Sequence, residues 1–86
     1  MKRFVAKVVV KLKPDIVDAK GQMLKRAIES YVDIKNLVCH IGTSYSLQFD
    51  AENQIEALNL VEKIAKELLT NEITEFFEVR SFNEID

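Results

Sequence analysis

Few side chains in this sequence could carry out chemistry, and the two most reactive are neighbours. Cys39 and His40 are the only cysteine and the only histidine. They lie in an alternating run, where adjacent side chains point to opposite faces of a strand, so they cannot form a thiolate–imidazole pair. We interpret Cys39 as a small core residue and His40 as a surface residue or interface contact. No Cys-x-x-Cys motif or histidine pair is present, and we expect neither catalytic residues nor a metal site.

Binding of phosphate or nucleic acid is also poorly supported by the sequence. The two glycines, Gly21 and Gly42, are too few for a glycine-rich phosphate loop. A helix N-terminus can bind an anion, but Asp18 and Asp50 are the predicted caps of the two helices and would compete with it. The net charge is −2, which does not favour neutralisation of phosphates. We therefore expect no cofactor in this chain and no nucleic-acid partner.

Length and composition are typical of one small domain covering residues 1–86. Hydrophobic residues make up 48% of the chain and charged residues 30%. A single cysteine excludes an internal disulfide and fits a reducing compartment. No segment approaches the roughly 20 apolar residues of a membrane span, and the lysine-interrupted N-terminus is unlike a signal peptide. We predict a cytoplasmic protein with no membrane partner.

The periodicity of apolar residues switches between two and about 3.6 along the chain, which predicts alternating strands and helices. The predicted elements are a strand from Phe4 to Lys13, a helix from Asp18 to Val32, a hairpin of Leu37–Ile41 and Tyr45–Phe49 that turns at Gly42, a helix after Asp50, and a strand from Ile73 to Phe82, with residues 83–86 frayed. Gly21 falls in the first helical turn, where close approach of another backbone is the usual reason for a glycine.

This βαββαβ order predicts an α+β, ferredoxin-like fold with a four-stranded antiparallel sheet and two helices on one face. The other face of the sheet would stay open. It would carry Val5, Val9, Val38 and Phe76 among lysines. Because exposed sheet faces and edges tend to pair, we expect self-association as a symmetric dimer or a tetramer.

The same residues resemble the PurS family, the small subunit of phosphoribosylformylglycinamidine (FGAM) synthase. The helix start within KPDIVDAKGQMLKRAI matches the family pattern at Ile16, Val17, Asp18 and Gly21, and the resemblance extends over residues 2–82. It includes the glycine turn and the end of the second helix, at Gly42, Leu68, Leu69 and Asn71. There are departures, of which the clearest is Thr43 in place of the usual lysine.

The resemblance implies a non-catalytic role in purine biosynthesis. In that family the chain dimerises and bridges a large synthetase subunit (PurL), which carries ATP and Mg²⁺, and a glutaminase subunit (PurQ), which carries the cysteine nucleophile. The assembled enzyme converts formylglycinamide ribonucleotide (FGAR), glutamine and ATP into FGAM, glutamate, ADP and phosphate. The small subunit is expected to support the passage of ammonia.

A second interpretation remains open on the sequence. The same fold occurs in ACT-like regulatory domains, which bind small molecules between paired chains. Such modules usually bind at a glycine-containing loop after the first strand, whereas this loop carries Pro14, Asp15 and Asp18. The sequence therefore favours the bridging subunit.

Overall fold

The computed structural model describes residues 1–85. Within them the elements are, in order, β1 (Lys2–Leu12), α1 (Ala19–Tyr31), β2 (Gly42–Ala51), α2 (Gln54–Ile64) and β3 (Glu75–Ile85). A short π-helical segment, Ala65–Leu69, continues α2 directly. Among these residues, no helix is long and apolar enough to cross a membrane.

β1 is the central strand of a three-stranded antiparallel sheet with the order β2-β1-β3. Val8 lies opposite Tyr45 of β2 and Val79 of β3. The alternation along β1 predicts a core face of Phe4, Ala6, Val8, Val10 and Leu12. The first four are at most 3% exposed, whereas Leu12 is only half-buried. The register against β3 shifts between Lys7 and Val8, which marks a bulge in the neighbouring strand.

The predicted four-stranded sheet is wrong, because residues 37–41 form no strand. The backbone of this segment is engaged elsewhere: the Ile41 N–H donates to Asp18 Oδ2 at 2.9 Å. The Cys39 carbonyl packs closely against Gly21. The segment thus crosses the start of α1 instead of pairing with β2. Gly42 is the first residue of β2 rather than a hairpin turn, and the remaining elements follow the predicted order without this strand.

α2 covers the inner face of the sheet. Ala57, Val61 and Ala65 are fully buried, and their four-residue spacing places them on one side of the helix. Val61 and Ala65 share one core cluster with Ala6, Val8 and Val10 of β1. At one end of this core, the rings of Phe4 and Phe82 are stacked with their centroids 5.5 Å apart.

The start of α2 lies later than predicted. Asn53 caps the helix, since its Oδ1 accepts the Glu56 N–H at 2.9 Å. The Glu56 carboxylate in turn accepts the Glu52 N–H at 3.2 Å, an arrangement close to a capping box. The predicted cap at Asp50 is wrong, because Asp50 still belongs to β2 and pairs with Arg3 of β1.

β3 is longer than the predicted strand. Asn83 lies opposite Val5 and Glu84 opposite Phe4, so residues 83–85 are paired with β1 where we expected a frayed end. The last residue of that prediction, Asp86, lies outside the described residues. The result is a sheet built from three strands of similar length.

α1 does not join the core, although its predicted bounds and amphipathic pattern are correct. Gly21 is its only buried residue, and no residue of α1 belongs to either core cluster. The Cα radius of gyration is 16.6 Å, whereas a compact chain of this length has about 12 Å. Because residues 37–41 form no strand, no pairing with the sheet follows α1 to position that helix over the inner face. Of the two helices, only α2 packs on the inner face through buried side chains.

Candidate functional site

Asp18 organises the corner where β1, α1 and the segment before β2 meet. The turn after β1 is closed by a bond from the Ile16 N–H to the Lys13 carbonyl at 3.0 Å. Asp18 then caps α1, as predicted, because its Oδ1 accepts the Gly21 N–H at 2.8 Å. Its Oδ2 accepts the Ile41 N–H at 2.9 Å. One carboxylate therefore joins two backbone segments that are far apart in sequence.

These contacts lower the pKa of the Asp18 carboxyl below its usual value. The largest cause is the hydrogen bond from the Ile41 N–H, followed by that from the Gly21 N–H, because both donors favour the charged form. Partial burial acts in the opposite direction, and His40 Nδ1, 4.0 Å from Oδ2, makes a smaller favourable contribution. Because both oxygens already accept backbone N–H groups, Asp18 has a structural role.

Gly21 allows residues 37–41, here called the crossing segment, to pass close to the first turn of α1. A Cβ at this position would lie 2.6 Å from the Cys39 carbonyl oxygen and 2.6 Å from Asp18 Oδ2. Contacts this short force one of the groups to move. The close backbone approach that the sequence predicted at Gly21 is therefore present.

The other predicted site residues of this corner are placed differently from expectation. Cys39 is only partly buried on the crossing segment, so its assignment to the core is wrong. His40 is beside it with 72% of its side chain exposed. Gly42 begins β2 opposite Lys11, and a Cβ there would be 3.0 Å from the Val10 carbonyl oxygen. No group of three or more Cys, His, Asp or Glu side chains in residues 1–85 is arranged to hold a metal ion.

A cleft of about 410 Å³ opens between Asp18, Ile41 and Phe76. Its nearby charges are already engaged: Asp18 holds backbone N–H groups, and Lys11 Nζ lies 3.4 Å from Glu78 Oε1. The cleft is also lined by Leu12, Pro14 and the largely exposed side chain of His40.

The open face of the sheet keeps part of its predicted composition. Val5 and Val9 are half-buried there, and the register places Glu78 directly opposite Val9. Glu78 is contacted by two cations, Lys11 and Arg80, each at 3.4 Å. Val38 was predicted on this face, but it lies on the crossing segment and not in the sheet. The open face is thus a mixed surface of small apolar groups and an ion-pair cluster.

The exposed apolar side of α1 is a surface that the sequence did not predict. Met23, Leu24 and Tyr31 are 68%, 46% and 88% exposed. The signal in the sequence is the helical spacing of Leu24, Ala27, Ile28 and Tyr31, a pattern that predicts a side facing the core. Pattern alone gives the apolar side of a helix and not what covers it.

Comparison with known proteins gives the family. The sequence model of PurS, described as phosphoribosylformylglycinamidine (FGAM) synthase, matches residues 5–83. The PurS subunit of phosphoribosylformylglycinamidine synthase from Thermotoga maritima is 33% identical over 73 residues, which span 83% of this chain and 87% of that protein.

Solved structures agree with this result. Thermus thermophilus PurS shares the fold with a TM-score of 0.86 at 22% identity, over 98% of this chain and 99% of that one. A chain in the structure of PurLQS from Thermotoga maritima has a TM-score of 0.80 at 29% identity, over 99% of this chain and 100% of that one. With a family match over nearly its whole length and a relative that is one third identical, this chain belongs to the PurS family.

Proposed function

We propose that this chain is the small, non-catalytic subunit of FGAM synthase, bridging the synthetase and glutaminase subunits and supporting ammonia transfer between them. The observation that carries the proposal is the similarity to a chain of the Thermotoga maritima PurLQS structure over 99% of this chain and 100% of that one. The reaction of the complex would convert FGAR, glutamine and ATP into FGAM, glutamate, ADP and phosphate in the cytoplasm.

The surfaces described above suit a bridging role. The cleft beside Asp18 shares Lys11 with the open sheet face and Ile41 with the groove beside the apolar side of α1, so three adjoining surfaces are available for contacts. In this proposal the nucleophilic cysteine belongs to the glutaminase subunit, while ATP and Mg²⁺ bind to the synthetase subunit. The chain itself would supply the surfaces that contact the other two subunits. We propose that it acts as a dimer or a tetramer.

The ligand-binding, ACT-like alternative has no support from the comparisons, in which the family model, the curated relative and the Thermus thermophilus structure are PurS. The cleft beside Asp18 does not favour it either, because its charged neighbours are already paired.

Reconstitution with the synthetase and glutaminase subunits of the same cell tests the proposal. We expect glutamine-dependent FGAM formation to require this chain, whereas ammonia-dependent formation by the synthetase does not. A Cys39→Ser chain should restore activity as well as wild type, since Cys39 would be no nucleophile. Glutamine hydrolysis by the isolated chain that is abolished by Cys39→Ser, or full glutamine-dependent activity without the chain, would contradict the proposal.

A further inference from the structure

We draw no further inference here: the strongest candidate, the cleft of about 270 Å³ where the π-helical segment meets β3, between Lys66, Thr70 and Phe77, carries nothing because the Thr70 hydroxyl, which has no hydrogen-bond partner within residues 1–85, is closed off from solvent, and because the two lysines that line the cleft are matched by two glutamates, so that nothing in the structure shows what would bind there.

Discussion

Gly21→Ala is the most direct test of the corner that holds α1. The added Cβ would lie 2.6 Å from the Cys39 carbonyl oxygen, whereas a carbon and an oxygen normally stay about 3.3 Å or more apart. It would also lie 2.6 Å from Asp18 Oδ2, the atom that accepts the Ile41 N–H. The substitution therefore pushes on both connections between α1 and the crossing segment.

The expected magnitude follows from two opposing effects. Overpacking of a tight contact costs about 1–3 kcal/mol, while alanine favours a helix over glycine by at most about 1 kcal/mol, and by less near an end. We expect Gly21→Ala to lower the free energy of unfolding by about 1–2 kcal/mol. For a domain of this length, that corresponds to a decrease in Tm of roughly 4–15 °C. Gly21→Val should be worse, because its branched side chain also has less rotamer freedom in a helix.

Thermal unfolding followed by circular dichroism measures this effect, at one fixed protein concentration because the proposed self-association would make Tm depend on concentration. Gly42→Ala is the matched control. Its Cβ would be 3.0 Å from the Val10 carbonyl oxygen, so a smaller decrease is expected. Amide exchange at Ile41 should accelerate in Gly21→Ala and not in Gly42→Ala. If Gly21→Ala unfolds at or above the wild-type temperature, the contact with Cys39 does not constrain the fold.

Two further predictions concern pH and the open sheet face. Because the pKa of Asp18 is lowered in the folded state, the stability from its contacts is complete above the unfolded pKa of about 3.9 and is lost as pH falls through the lower folded value. Asp18→Asn should thus have a lower Tm than wild type at neutral pH, with a gap that narrows in acid; a gap unchanged down to about pH 2 would contradict this role. Val9→Glu should weaken self-association in sedimentation over a micromolar concentration series, because it places a charge on the open sheet face that we expect to pair; an oligomer that this variant leaves intact would assign the interface elsewhere.

The local pattern of the sequence was sufficient for most of the elements. A period of two, with one wholly apolar face and one mixed face, specified β1, and the change to helical spacing after Asp18 specified α1 to within a residue of its ends. The Asp18 cap was also predictable, because the bond from the Gly21 N–H spans only three residues. Such features depend on neighbours in the chain, so no knowledge of the fold is needed.

The error at residues 37–41 arose because alternation indicates an extended segment but not a partner for it. Leu37, Cys39 and Ile41 alternate as strand residues do, yet a strand exists only where another backbone accepts its hydrogen bonds. Here the Ile41 N–H donates to Asp18, 23 residues earlier in the chain. That choice depends on where the tertiary fold places the start of α1.

The candidate site also combines features that the sequence predicts with features that depend on the tertiary structure. The sequence by itself determined that residues 18–32 form an amphipathic helix, that Gly21 marks a close backbone approach, and that no catalytic pair of Cys39 and His40 is expected. Only the tertiary structure decided that this side of α1 is uncovered and that one carboxylate joins the helix to the crossing segment. The physical reason is that amphipathicity is a property of one helix, whereas burial depends on which surfaces the folded chain brings together.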